Sequence, residues 1–249
     1  MDLGLRGKSV LITGGSKGIG LACARSFAAE GANVQLAARS RALLEDAARN
    51  LAAKYGVEVR THTVDLRAAG AAELLASEAG PLDVLVNNAG DMQAGSLRAI
   101  DEEKWRNAWE LKVFGFVNLT RAVLAAMEAR GRGVIVNVIG MAGVSHPADY
   151  ILGAAGNAAL DAFTKGVGKA STRHGVRVLG VHPGATRTER LVAPLRALAA
   201  QRFGDESRWE ELLRGPRIQE PEQVADTVVF LASERAGHLS GVVLNLTPA

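Results

Sequence analysis

Short runs of Val, Ile and Leu alternate with amphipathic stretches along the whole chain. Near-continuous apolar strands that alternate with helices predict a parallel sheet covered on both faces, because each parallel connection needs a crossover. No linker, low-complexity tract or repeat interrupts the pattern, so we expect a single α/β domain over residues 1–249 with a doubly wound parallel sheet. The predicted strands cover about residues 9–12, 34–37, 57–64, 84–86, 134–138, 176–181 and 242–246, and the predicted helices about residues 19–30, 41–55, 102–130, 154–173 and 222–232, with two more within 189–213.

A glycine-rich turn, Thr13-Gly14-Gly15-Ser16-Lys17-Gly18-Ile19-Gly20, separates the first predicted strand from the first predicted helix. Glycines are needed where a turn is tight and where a pyrophosphate must approach bare backbone at a helix N-terminus. In the first strand–turn–helix unit of an α/β chain, this pattern indicates a dinucleotide site in a Rossmann-type fold.

The turn matches the TGxxxGxG pattern of the short-chain dehydrogenase/reductase family, which the chain resembles over essentially its whole length. Asp65-Leu66, Asn87-Asn88-Ala89-Gly90 and the PGxxxT segment Pro183–Thr188 match further family motifs in the same order. The resemblance implies that these segments border the adenine, the adenosine and the nicotinamide of the cofactor. The predicted cofactor-binding residues are Gly14, Ser16, Lys17, Gly18, Ile19, Gly20, Arg39, Asp65, Leu66, Asn87, Ala89, Gly90, Pro183, Gly184 and Thr188.

The end of the second predicted strand favours NADP(H) over NAD(H). A carboxylate there would bind the ribose diol and repel a 2′-phosphate. The chain instead reads Ala38-Arg39-Ser40-Arg41. Arg39 can donate two hydrogen bonds to a phosphate, and Lys17 adds a second cation nearby.

The proton relay of the family is replaced in this chain. The family uses an Asn, a Ser, a Tyr and a Lys, in which the phenol exchanges a proton while hydride moves. The resemblance places these four positions at Lys112, Gly140, Gly153 and Asn157. Lys112 thus stands at the family's Asn position, and Asn157 stands at the family's Lys position. Our hypothesis is that Lys112 supplies the missing cation. The alternative makes Lys112 a surface lysine and Asn157 a polar residue at a helix start.

Tyr150 is the phenol closest in sequence to the vacated Tyr position. It lies three residues before Gly153, and its side chain could swing into the space that Gly153 leaves open. We therefore interpret Tyr150 as the proton carrier. A second alignment makes Tyr150 itself the family Tyr, with Ala154 at the Lys position. His146, in the preceding predicted loop, is another candidate acid.

Residues 187–216 are expected to form a lid that encloses a small-molecule substrate and excludes water. The segment mixes apolar residues with arginines and acids. Arg187 and Arg190 could attract an anionic group of the substrate. The negative charge of Glu189, which lies between them in the sequence, weakens this interpretation.

Bulk properties exclude several classes of protein. The net charge of +3 comes from dispersed residues, so we expect no nucleic-acid partner. The single cysteine, Cys23, cannot form an intrachain disulfide and is expected to be a buried filler. We expect no metal site, no membrane span, no signal peptide and a cytoplasmic location. The family resemblance implies a homodimer or homotetramer through helices 102–130 and 154–173.

Three functions compete at this point. The leading one is an NADP(H)-dependent oxidoreductase acting on a carbonyl or an alcohol, with a rearranged relay. The second is a redox-inactive nucleotide-binding sensor or partner subunit, which the loss of all four relay residues supports. The third is a non-redox enzyme such as a lyase or an epimerase, which no residue specifically favours.

Overall fold

The computed structural model describes residues 1–213 and 218–247. Within them it shows one sheet of seven strands, all parallel. The strands are β1 (Ser9–Thr13), β2 (Asn33–Ala38), β3 (Val59–Thr63), β4 (Val84–Asn87), β5 (Gly133–Val138), β6 (Val176–Pro183) and β7 (Val243–Leu246).

Helices connect successive strands and cover both faces of the sheet. Glycine and capping residues set some of their ends: Ser40 accepts a hydrogen bond from the Leu43 backbone N–H, and Gly56 ends the same helix in the left-handed conformation. The α-helices are α1 (Gly18–Ala29), α2 (Arg41–Tyr55), α3 (Ala71–Ala79), α4 (Glu102–Trp109), α5 (Gly115–Ala129), α6 (Ala142–Ser145), α7 (Ile151–Ser171), α8 (Glu189–Phe203) and α9 (Pro221–Ala232).

The strand order is β3-β2-β1-β4-β5-β6-β7, so the winding direction changes between β1 and β4. This is the order of the doubly wound Rossmann-type fold, and the prediction of that fold is confirmed. In such sheets a crevice opens beyond the carboxyl ends of the strands at the point of reversal. The fold therefore directs attention to the loops that follow β1 and β4.

Side chains of β1 alternate between two apolar clusters, one on each face of the sheet. Val10 and Ile12 pack with α1 and α9, whereas Leu11 packs with α3 and α5. Cys23 lies fully buried in the first cluster, where burial raises the pKa of its thiol to about 12. The thiol is therefore an inert filler, as predicted.

Several predicted boundaries need correction. β3 is shorter than the predicted 57–64, and α3 was not predicted at all. The predicted helix 102–130 is interrupted by a π-helical turn at Glu110–Phe114, and α7 begins at residue 151 rather than 154. In 189–213, α8 is followed by 3-10 turns at Glu206–Leu212 instead of a second α-helix.

The predicted lid, 187–216, extends beyond the described residues at 214–216, and its boundary stays a prediction. Among residues 1–213 and 218–247, no helix combines the length and the apolarity that a membrane crossing requires.

Candidate active site

A crevice of about 590 Å³ lies at the point where the strand order reverses. It is bounded by the glycine turn after β1, the end of β2, the loop after β4 and the first turn of α8. Its size and position fit a site for a cofactor or small ligand. Of the predicted cofactor residues, those lining it are Gly14, Ser16, Lys17, Gly18, Ile19, Arg39, Leu66, Ala89, Gly90 and Thr188.

Five predicted cofactor residues do not line the crevice. Gly20, Pro183 and Gly184 lie behind it, and Asp65 pairs with Arg67 at 2.5 Å, which lowers the pKa of the Asp65 carboxyl. Asn87 is fully buried and donates hydrogen bonds to Thr120 and Asn137. In this structure Gly20, Asn87 and Pro183 are buried and support the walls of the crevice, whereas Asp65 and Gly184 stay partly exposed.

The glycine turn is shaped to bring backbone N–H groups to a ligand. Gly14 has a φ of +66°, and a Cβ on Gly20 would overlap the Gly14 carbonyl and lie 2.6 Å from Asn88 Nδ2. The N-cap residue of α1, Lys17, makes no side-chain cap, so the first N–H groups of this helix keep their capacity for an anion. A pyrophosphate fits this cradle.

Thr13 and Asn88 hold the turn against the loop after β4. The Thr13 hydroxyl accepts hydrogen bonds from the backbone N–H groups of Asn88 (2.9 Å) and Ala89 (3.0 Å). The Asn88 side chain donates to the Thr13 carbonyl at 3.0 Å. Both residues lie within the predicted motifs but were not among the predicted site residues.

Cations lie at the end of β2 and in the glycine turn, as the sequence predicted. Arg39 is half exposed, and its guanidinium lies 4.0 Å from the Asp91 carboxylate. Lys17 lies 3.8 Å from Glu189 of α8. Exposed ion pairs of this kind contribute little free energy, so both cations stay available to a phosphate.

The Tyr150 ring occupies the space that Gly153 leaves open. A Cβ built on Gly153 would overlap Cε1 and Cζ of the ring and would lie 2.8 Å from Cδ1. Tyr150 is the N-cap residue of α7 and Gly153 lies in its first turn. The Tyr150 ring therefore occupies the volume that the Cβ of any other residue at position 153 would need.

Lys112 is buried, which contradicts its interpretation as a surface lysine. It lies in the π-helical turn, is 8% exposed, and donates a hydrogen bond from Nζ to the Ile139 carbonyl at 2.5 Å. Burial lowers the pKa of its amine to about 7, and the charge of Arg190 adds to the effect. Single π-turns inside helices often occur at functional sites.

Asn157 is also buried, inside α7 rather than at its start. Its Nδ2 would lie 2.8 Å from a Cβ on Gly140, and its Oδ1 has no protein partner. The amide therefore fills the space beside Gly140. Lys112 and Asn157 thus reach neighbouring residues at the end of β5, Ile139 and Gly140, from two different helices.

Arg190, in the first turn of α8, bridges the lid and the loop after β4. Its guanidinium donates hydrogen bonds to the carbonyls of Gly90 (2.8 Å) and Met92 (2.7 Å). Arg187 instead bonds Glu210 and Glu220, each at 2.7 Å, so its charge is already compensated. The anion-attracting role considered for both arginines is therefore not supported for Arg187.

Two histidines behave differently from each other. His146 is exposed at the end of α6 and takes a left-handed conformation, as a surface loop residue. His182 is 1% exposed, with Nδ1 2.9 Å from the Gly140 carbonyl and Nε2 3.0 Å from the Asp161 carboxylate. This pair, in which His182 is buried and Asp161 partly exposed, holds the backbone at the vacated Ser position, and neither residue was among the predicted site residues.

Fold and crevice together define a protein of the dinucleotide-binding oxidoreductase class. The family model for short chain dehydrogenase matches residues 8–196. The chain belongs to the short-chain dehydrogenase/reductase family, as its motifs predicted.

Three proteins similar to this chain are named for a polyol, for a 3-oxoacyl group on an acyl carrier protein and for a sugar. The chain is 32% identical to a galactitol 2-dehydrogenase (L-tagatose-forming) of Cereibacter sphaeroides, over 96% of this chain and 93% of the relative. It is 31% identical to a 3-oxoacyl-(acyl-carrier-protein) reductase of Vibrio cholerae, over 98% and 97%. A crystal structure of L-sorbose reductase from Gluconobacter frateurii, complexed with NADPH and L-sorbose, superposes with a TM-score of 0.93, at 34% identity and over 99% and 97% of the two chains.

Proposed function

We propose that this protein is an NADP(H)-dependent reductase of a ketone or aldehyde, with Tyr150 as the proton donor. The observation that carries the proposal is the placement of the Tyr150 ring over Gly153. A phenol there replaces the one that the family attaches four residues before its lysine. Among the predicted relay residues, Tyr150 alone offers an acidic O–H group.

The cofactor preference rests on charge at the end of β2. Arg39 and Lys17 both line the crevice, and Ser40 beside Arg39 adds a hydroxyl. These groups suit the 2′-phosphate of NADPH. The L-sorbose reductase that superposes on this chain was crystallised with NADPH.

The reaction would reduce a carbonyl to an alcohol. NADPH, held by residues of the crevice such as Lys17 and Arg39, would supply the hydride for the carbonyl carbon. Tyr150 gives its phenolic proton to the carbonyl oxygen, so one O–H bond breaks as another forms. Burial raises the pKa of the phenol, with Arg190 opposing the effect. The phenol is therefore protonated at neutral pH and ready to act as the acid, which favours the reductive direction.

The experiment begins with a titration of the protein with NADPH and NADH, followed by nicotinamide fluorescence. Arg39→Gln should weaken NADPH binding by about 10- to 100-fold and leave NADH binding nearly unchanged, because charge-assisted hydrogen bonds contribute about 1.5–3 kcal/mol. Arg41→Gln is the matched control, since Arg41 pairs with Glu45 on the outer face of α2. Equal affinity of the wild type for both cofactors would contradict the preference.

Turnover is then measured with NADPH and a panel of ketoses, 3-oxoacyl thioesters, aldehydes and quinones. Tyr150→Phe should lower kcat by about 10²- to 10⁴-fold without changing NADPH affinity. Tyr55→Phe is the control, because Tyr55 lies at the end of α2 beside Lys54. Tight NADPH binding without turnover of any carbonyl would instead support the redox-inactive binder, which the four replaced relay positions favour.

We also propose that the protein is a homodimer or homotetramer. A groove of about 520 Å³ on α4 and the π-helical turn is lined by Trp105, Trp109 and Phe114, and Phe114 is 45% exposed. Apolar surface of this kind is suited to burial against a second copy. Light scattering that shows a monomer at micromolar concentration would contradict the proposal.

A further inference from the structure

Arg190 is held across the crevice by backbone carbonyls. Among residues 1–213 and 218–247, Arg187 has two glutamate partners and Glu189 lies near Lys17, whereas Arg190 donates to the carbonyls of Gly90 and Met92 and forms no ion pair with a carboxylate. A carbonyl orients a guanidinium without cancelling its charge. Arg190 therefore presents a full positive charge at the mouth of the site.

The Tyr150 phenol lies against the segment that Arg190 binds. Met92, whose carbonyl accepts from Arg190, packs in one apolar cluster with the Tyr150 ring. The backbones are also joined, because Gly95 forms a β-bridge with Tyr150 and its N–H donates to the Asp149 carbonyl at 2.7 Å. Burial raises the pKa of the phenol most; of the charged groups near it, Arg190 lowers this pKa and Asp91 raises it.

The amine of Lys112 does not stay positively charged over the whole physiological pH range. Its amine donates to the Ile139 carbonyl, and its pKa of about 7 leaves much of it neutral at physiological pH. A guanidinium remains charged at every pH at which the protein is folded. The hypothesis that Lys112 supplies the missing cation is therefore weaker than the alternative that the lid provides.

We propose that Arg190 is the positioning residue for the Tyr150 phenol, supplying from the lid helix the cation that the family places on the helix of its tyrosine. When the phenol gives its proton to the carbonyl oxygen of a substrate, the phenolate that remains is stabilised by the Arg190 charge until it takes a proton from solvent. The phenol is then a competent acid only while α8 lies in the crevice. The consequence for turnover rests on the proposed function, but the electrostatic coupling does not.

The coupling can be measured without any substrate, because the chain contains two tyrosines. In a Tyr55→Phe background, absorbance at about 295 nm after a stopped-flow pH jump reports ionisation of Tyr150 alone, before alkaline unfolding. Arg190→Gln in this background should raise the pKa of Tyr150 by about one unit, because a nearby positive charge is removed. Arg190→Lys should restore most of the shift. Arg196→Gln removes an exposed charge from the same helix and should leave the titration unchanged.

The kinetic readout is the alkaline limb of the kcat/KM profile for carbonyl reduction. Arg190→Gln should move this limb to higher pH by the same amount and lower kcat, with NADPH affinity retained, whereas Arg190→Lys should recover both. An unshifted Tyr150 titration in Arg190→Gln overturns the inference, whatever the turnover. A shifted titration in a protein that reduces no carbonyl supports the coupling and refutes the proposed function, so the two failures are distinguishable.

Discussion

Gly153→Ala tests the placement of the phenol by adding one methyl group. Because a Cβ at this position would overlap the Tyr150 ring, the ring must leave its site. Gly166→Ala is the matched control: Gly166 lies in the same helix, α7, and a Cβ there would meet no atom within 4 Å. The two substitutions therefore have the same chemistry and opposite steric consequences.

The magnitudes follow from helix propensity and burial. Replacing Gly by Ala inside a helix stabilises by about 0.5–1 kcal/mol, so Gly166→Ala should raise the free energy of unfolding by that amount. Gly153→Ala gains the same contribution, but displacing the half-buried Tyr150 ring costs about 1.5–3 kcal/mol of burial. The net expectation for Gly153→Ala is a loss of about 0.5–2.5 kcal/mol of stability.

Urea unfolding and turnover of the best substrate measure the two effects together. Gly153→Ala should bind NADPH normally and lose at least about 10²-fold in kcat, as expected when a general acid is removed. Gly166→Ala should keep wild-type turnover. If Gly153→Ala were as stable and as active as Gly166→Ala, neither the position of the Tyr150 ring nor its role as the acid would stand.

Three further substitutions test the surroundings of the site. The Lys112 pKa is about 7 in the folded chain and about 10.5 in the unfolded chain, so between these two pH values the unfolded chain binds more protons. Stability should therefore rise with pH there by up to about 1.4 kcal/mol per unit, and urea unfolding of Lys112→Met should lack this part of the slope. His182→Phe removes a hydrogen-bond partner from the Gly140 carbonyl and from the Asp161 carboxylate, both partly buried, and should lower the free energy of unfolding by about 1–3 kcal/mol in total; an unchanged melting temperature would show that these bonds contribute nothing. Gly20→Ala places a Cβ on the backbone of Gly14, so fluorescence titration should show at least about a 10-fold loss of NADPH affinity, and retained affinity would contradict the tight-turn argument.

Local patterns made much of the fold and of the cofactor crevice predictable. The glycine turn and Arg39 are each recognised within a single strand–turn–helix unit, the first after β1 and the second after β2, and the structure places them on one crevice. Helix α3 was missed because it begins after Gly70, which is in the left-handed conformation and makes no side-chain cap, so the sequence lacks the polar start signal of a helix.

Long-range contacts explain what the sequence did not reveal about the site. Arg190 binds backbone carbonyls 100 and 98 residues away, and a backbone carbonyl leaves no mark in the choice of residue. His182 meets a carboxylate on α7 and a carbonyl after β5, so three elements must be assembled before the pair exists. The spacing of Tyr150 in the sequence was enough to single it out, but its contact with Gly153 depends on the path of the backbone at the start of α7.

The overlap between Tyr150 and position 153 limits how sequences of this kind can change. A tyrosine at 153 would have to grow from a Cβ that the present ring excludes, so the family's phenol and this chain's phenol are mutually exclusive occupants of one volume. Restoring the family's tyrosine thus takes paired substitutions, such as Tyr150→Ala with Gly153→Tyr. The first alone removes the proposed acid, and the second alone sets two aromatic rings against each other. An evolutionary path between the two arrangements must cross one of these intermediates or exchange both residues at once, whereas a designer can make the pair in a single step.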